Sequence, residues 1–125
     1  MLIEISNGEL IDKVSILEIK NKKITSKEKI KNIAAEYSYL KQKMELVGIT
    51  DQSKEYKDLL EVNLIIWDIE EQIRNIEKDK KFDKDFINLA RSIYVNNDKR
   101  SKLKKEINKK TNSLFIEEKE LPNYG

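Results

Sequence analysis

The 125-residue sequence contains no cysteine and no histidine. Without cysteine there is no disulfide framework, no thiolate zinc site and no thiol nucleophile. Without histidine the chain lacks the usual general base and the commonest metal ligand, and the Glu-x-x-His pairs of di-iron bundles are impossible. These absences favour a non-enzymatic protein with no metal site and no cofactor.

Turn-forming residues and long apolar runs are also scarce. Three glycines and one proline favour helix over sheet. No apolar run approaches the roughly 18 residues that span a membrane, and no signal segment opens the chain, so we expect a cytoplasmic protein with no membrane partner. A net charge of +2, from 25 basic and 23 acidic residues, gives no overall field that would attract nucleic acid.

Apolar residues at helical spacing predict four helices, at about residues 7–23, 26–47, 53–79 and 83–110, and a tail at 111–125. Ser6 and Glu9 have the spacing of a capping box, Gly48 is a common helix stop, and Asp83 can cap the fourth helix. We therefore predict an all-α fold, an antiparallel bundle of about four helices that forms one domain with an extended C-terminal tail.

The second and third helices carry the most regular pattern. Their apolar residues step by three and four without interruption, which is typical of coiled coils. The sequence therefore predicts that these two helices form a long antiparallel hairpin on which the bundle is built. We expect the tail to pack as an extended strap through its apolar residues, Leu114, Phe115, Ile116 and Leu121.

The fourth helix interrupts its own apolar pattern. Asn96 and Arg100 occupy heptad positions whose neighbours are apolar. If short turns join the helices, Asn63 of the third helix lies level with Arg100. Out-of-place polar residues then gather at one height of the bundle: Asp12, Tyr37, Asn63, Asn96, Asn97, Asp98 and Arg100.

This polar layer has two interpretations. A buried guanidinium needs a carboxylate, for which Asp12 and Asp98 are the candidates, so the layer can be a structural network that fixes the register of the helices. Alternatively, the layer is a pocket for an anionic or polar ligand. Both interpretations assume the register; if it is wrong, these residues are solvated.

Residues 63–74 contain the only tryptophan. Trp67 lies beside the heptad positions and is level with Tyr94 in the predicted register. In the same register, Arg91 lies close to Glu70 and Glu71, which follow Trp67. Structurally, Trp67 is an apolar anchor in a second packing seam. Functionally, this cluster is the wall of a pocket or the hot spot of an interface.

Two lysine-rich runs cover residues 20–31 and 99–110. In an up-down bundle they fall at opposite poles, and lysine near a helix C-terminus complements the helix dipole. We interpret both runs as solvated surface, because nucleic-acid binding needs one continuous basic face.

Several segments resemble a known family: GELIDKVSILEIK at 8–20, NLIIWDIEEQIR at 63–74, YVNNDKRSKLKKEIN at 94–108 and the ending EEKELPNY. They are similar to an uncharacterised family of small bacterial all-helical proteins, classed as a domain of unknown function. The resemblance implies a helical cytoplasmic protein and no established reaction. Residues 10–19 also resemble, more weakly, the first helix of the helical chorismate mutases. Two departures argue against that family: Gly8 stands where an arginine is expected, and Ser15 replaces the second acid.

Together these patterns favour a non-enzymatic helical interaction or assembly module. Because a short chain of long amphipathic helices has difficulty covering every apolar face, we expect a homo-oligomer of two copies. The alternative is a small-molecule-binding or catalytic bundle that recognises an anionic ligand through Arg100, Arg91 and lysines. The candidate ligand- or partner-binding residues are Asp12, Tyr37, Asn63, Trp67, Arg91, Tyr94, Asn97, Asp98 and Arg100.

Overall fold

The computed structural model describes residues 1–124, so Gly125 of the predicted tail lies outside it. Four helices follow one another: α1 (Asn7–Lys23), α2 (Lys27–Leu46), α3 (Lys54–Asp79) and α4 (Lys84–Lys110). The all-α prediction is confirmed, and the predicted helix bounds differ from these by at most one residue. None of the helices within residues 1–124 is long and apolar enough to cross a membrane.

Local side-chain chemistry sets several helix ends. The Ser6 hydroxyl accepts a hydrogen bond from the Glu9 N–H at 3.2 Å, which satisfies a donor in the first turn of α1. The Asp83 carboxylate accepts from two backbone N–H groups at the start of α4. Gly48 follows α2 with φ at +85°, a conformation that favours glycine, and so it ends the helix.

Helix α1 lies at the centre of the bundle. It packs against α2, α3 and α4, while α3 and α4 pack against each other. Eight of its 17 residues are buried, and a helix buried on several sides needs apolar residues around most of its circumference. The apolar members are Leu10, Ile11, Val14, Leu17 and Ile19.

The predicted hairpin of α2 and α3 is wrong. In the described part of the chain α2 packs against α1 and makes no close backbone contact with α3. Heptad spacing identifies the apolar face of a helix but does not identify the helix that covers it. The long hairpin consists of α3 and α4, with 26 and 27 residues.

Burial is concentrated where α1 covers this hairpin. We call that part the base: α1 with residues 54–69 of α3 and 94–110 of α4. Beyond it, residues 70–93 form the arm, in which no residue is fully buried. The predicted core residues of the arm, Phe86, Leu89 and Ile93, are only half-buried, because two helices alone cannot enclose each other's side chains.

The tail, residues 114–124, has no helix or strand and runs back along α4. Glu117 pairs with Lys104 at 3.1 Å, and the Tyr124 ring lies 5.3 Å from the Tyr94 ring. The prediction that the tail packs through its apolar residues is wrong, because ion pairs and Tyr124 hold it instead. The four apolar residues that were predicted to pack are all exposed: Leu114, Phe115, Ile116 and Leu121.

Candidate functional site

A network of polar side chains joins α1 to the α3–α4 hairpin. Arg100 donates from Nε to Asp12 Oδ1 at 2.8 Å and from Nη2 to Asp12 Oδ2. The Asn63 amide donates to Asp12 Oδ1 at 2.9 Å and to Ser15 Oγ at 2.7 Å. Ser15 Oγ in turn donates to the main-chain oxygen of Asp12 at 2.7 Å. Asp12, one of the two predicted acids, is therefore the partner of Arg100.

The network is closed around its carboxylate. Asp12 is 0% exposed, and the Arg100 side chain is 28% exposed. The two parallel hydrogen bonds match the geometry of a guanidinium to that of a carboxylate. The hydrogen bonds to Asp12 raise the pKa of Arg100, although burial acts in the opposite direction, so the guanidinium stays charged. Arg100 Nη1 lies 3.4 Å from Asn97 Oδ1.

A cleft of about 250 Å³ lies beside this ion pair. Its charged lining residues are Glu9, Asp12, Lys13, Lys20, Glu36 and Arg100. Three cations and three acids give the cleft no net field that would attract an anion. Within residues 1–124, no group of three or more acidic side chains is arranged to hold a metal ion. The geometry at Arg100 thus favours the structural interpretation of the polar layer.

A second contact between α1 and α4 lies at Gly8. The Gly8 N–H donates to Asn108 Oδ1 at 2.6 Å. A Cβ at position 8 would clash with the main-chain oxygen of Lys104, so this close approach of the two helices requires glycine.

Lys104 lies next to this contact and is only 7% exposed. Its Nζ donates to Glu9 at 2.8 Å and to Glu117 at 3.1 Å. Burial lowers the pKa of Lys104, but these two hydrogen bonds outweigh it and leave the pKa raised. The interpretation of residues 99–110 as solvated surface is therefore wrong for Lys104, because carboxylates from α1 and from the tail enclose its charge.

Two residues predicted for the polar layer, Tyr37 and Asn96, lie apart from the network, as does Trp67 of the cluster at 63–74. Tyr37 packs against the apolar core from α2. Trp67 is half-buried on α3 and donates from Nε1 to Glu71 at 3.0 Å. Asn96 donates to the main-chain oxygen of Ser92 in its own helix at 2.8 Å, which explains how an amide is accommodated in the apolar pattern of α4.

The remaining predicted residues lie on the outward side of α4. Arg91 and Asp98 line a cavity of about 620 Å³ between α4 and the end of the tail. Tyr94 contacts the ring of Tyr124 beside this cavity. The predicted residues therefore divide into the buried network and this separate surface.

Residues outside the predicted site set complete the network and its surroundings. Ser15 lies three positions after Asp12, so the two share a face of α1, and its small polar side chain among apolar neighbours was the available signal. The roles of Gly8, Lys104 and Asn108 depend on the approach of α1 to α4, which no pattern within one helix encodes.

A model of the family of unknown function DUF6165 matches residues 1–123. No curated protein and no solved structure matches the chain. The expected relationship to an uncharacterised family is confirmed. The match specifies no reaction, ligand or partner.

Proposed function

We propose that this chain, which belongs to the family of unknown function DUF6165, is a helical assembly module that pairs with a second copy of itself through the arm. The observation that carries the proposal is that no residue of the arm is fully buried, although the apolar pattern of both helices continues there. The cytoplasm remains its predicted location.

The arm has the apolar residues of a bundle core without the helices to cover them. At its tip, the rings of Phe82 and Phe86 meet at 5.2 Å, and Phe82 and Ile87 are exposed. The half-buried apolar side chains of its interior are Ile73, Ile76, Phe86, Leu89 and Ile93. A second hairpin packed against the first would give these residues the four-helix environment in which such patterns are normally buried.

The charges of the arm support pairing with an identical copy. Residues 70–93 contain six acidic and six basic residues, so two arms do not repel each other through net charge. In a two-fold dimer the same surface patch contributes from both copies, and a mixed pattern can place acids of one arm against bases of the other.

The buried network supports this function indirectly. The hydrogen bonds among Asp12, Asn63 and Arg100 fix α1 against the base of the hairpin. The arm lies beyond α1, so its apolar face stays accessible to a second copy. The alternative of an anionic ligand at Arg100 is less well supported, because Asp12 already occupies two of its donor groups and the adjacent cleft is electrically balanced.

Sedimentation equilibrium over a range of concentrations tests the proposal. We expect a dimer of twice the 14.8 kDa chain mass, and we expect Ile87→Asp to shift it to monomer, because association would bury an unpaired carboxylate. The matched control is Tyr39→Asp on α2, since Ile87 and Tyr39 are both 55% exposed. A monomer at every concentration would overturn the proposal, as would dissociation by Tyr39→Asp with Ile87→Asp still dimeric.

A further inference from the structure

A cavity lies between α4 and the tail, apart from the buried network. Its volume is about 620 Å³, which is within the range of small-molecule sites. One wall belongs to α4 and the other to residues 121–124 of the tail. The lining residues from α4 are Arg91, Val95, Asp98, Lys99 and Lys102.

The α4 wall carries three cations and one acid. Arg91, Lys99 and Lys102 make no ion pair with any residue in 1–124, and Asp98 is the acidic member of the wall. Lysines farther along the same helix differ: Lys104 and Lys105 are both paired with glutamates of the tail. The tail therefore pairs with α4 at Lys104 and Lys105, while the cations of the cavity have no ion pair within residues 1–124.

The spacing of these cations indicates the shape of a suitable ligand. Residues 91, 95, 99 and 102 lie on one face of a helix. Arg91 and Lys99 are about 12 Å apart along the helix axis, while Lys99 and Lys102 are neighbours. Two positions of positive charge suit a molecule with more than one anionic group, and the Arg91 guanidinium can bind phosphate or carboxylate in a bidentate manner.

The tail encloses the cavity on its other side. Leu121 and Pro122 give this wall an apolar surface. The Tyr124 ring lies at 50° to the Tyr94 ring, which fixes the end of the tail against α4. A ligand in the cavity would be held between a basic helix face and an apolar, aromatic strap.

We propose that this cavity binds a small polyanion through Arg91, Lys99 and Lys102, with the end of the tail as its cover. The inference rests on cations that have no ion pair within residues 1–124, and it does not require self-association. Arg91, near the end of the arm, is the one residue that this site shares with the arm. Phosphate and carboxylate groups share the required chemistry, so inorganic pyrophosphate and citrate are the probes that distinguish them.

Isothermal titration of the full chain at constant ionic strength tests the inference. We expect saturable 1:1 binding of one of the two probes, weakened at least about tenfold in the triple variant Arg91→Gln, Lys99→Gln, Lys102→Gln. The matched control is the triple variant Lys27→Gln, Lys29→Gln, Lys31→Gln, which removes the same charge from exposed positions on α2. This control should bind like the unmodified chain.

NMR supplies a second readout that does not depend on heat. On binding, the ring signals of Tyr94 and Tyr124 should shift, and Tyr124→Ala should weaken binding without altering the helices. No saturable binding of either probe would overturn the inference. Equal weakening in the two triple variants would also overturn it, because the attraction would then come from overall charge and not from the cavity.

Discussion

The base and the arm are built from the same two helices, yet the two regions differ in how they are stabilised. In the base, α1 covers the hairpin and buries residues such as Leu59 and Ile107 together with the Asp12 network. In the arm the heptad pattern is equally regular, but no residue is fully buried. The comparison shows that a regular apolar pattern stabilises a helix pair only as far as other helices cover it.

The largest effect is expected from breaking the ion pair in the base. Arg100→Met should lower the free energy of unfolding by about 3–5 kcal/mol, because it leaves the carboxylate of Asp12 buried without a counter-ion. Chemical denaturation at neutral pH measures this change.

The double variant Arg100→Met, Asp12→Asn is the control for that prediction. It should recover much of the loss, since a neutral amide tolerates the site better than an isolated carboxylate. Asp12→Asn alone should cost less than Arg100→Met, because the partly exposed guanidinium can turn to solvent. Strictly additive effects of the two single changes would contradict the coupling between Asp12 and Arg100.

Truncating one apolar residue in each region sharpens the comparison. Leu59→Ala in the base should cost about 2–5 kcal/mol through the cavity it leaves, since Leu59 is 0% exposed. Ile73→Ala in the arm should cost less than half as much at low protein concentration, because Ile73 is only half-buried.

Thermal melts at several concentrations check this pair of variants. If the arm pairs with a second copy, the cost of Ile73→Ala should grow with concentration while that of Leu59→Ala stays constant. Equal costs for both variants in the monomer would contradict the distinction between base and arm.

The smallest effect concerns the tail, which is attached to the base by ion pairs. The hydrogen bond from Lys104 lowers the pKa of Glu117 below its usual value of 4.5. Because the pKa of Glu117 is lower in the attached tail than in a detached one, its ionised carboxylate stabilises the attached tail above pH 4.5. This stabilisation is lost as the pH falls through the lowered pKa. The pKa of Lys104 is raised, so its stabilisation of the attached tail has the opposite pH dependence. It is fully present below pH 10.5 and is lost as the pH rises through the raised pKa.

We therefore expect the tail to stay attached through the neutral range and to detach in acid, as followed by the NMR signals of Tyr124. Glu117→Gln should loosen the tail at neutral pH and change global stability by less than about 1 kcal/mol. Glu120→Gln is the matched control, because Glu120 is exposed and has no ion pair within residues 1–124. A pH-independent Tyr124 signal would contradict this role of Glu117.

Much of the helical content was predictable, because caps and breakers act locally. Ser6, Gly48 and Asp83 end or begin helices through contacts with residues a few positions away. The closeness of Asn63 and Arg100 was also predictable, because a short turn between α3 and α4 fixes which residues lie level.

The pairing of helices was not predictable in the same way. The apolar faces of α2 and α3 match each other as well as they match α1, and only the burial of α1 on several sides decides between these partners. The position of Lys104 was hidden for a similar reason. Lys104 stands in a lysine-rich run with Lys102 and Lys105, while the carboxylates that enclose its charge come from residues 9 and 117.

The close contact at Gly8 has a consequence for how the chain is made. Gly8 meets Asn108 across 100 positions of sequence, and Asp12 meets Arg100 across 88. A chain that emerges from the ribosome N-terminus first therefore presents α1 long before its partner residues in α4 exist. The face of α1 that α4 covers stays exposed until α4 has been synthesised, so the base closes only after that helix has emerged. Contacts of this exposed apolar face with other chains are a hazard during folding.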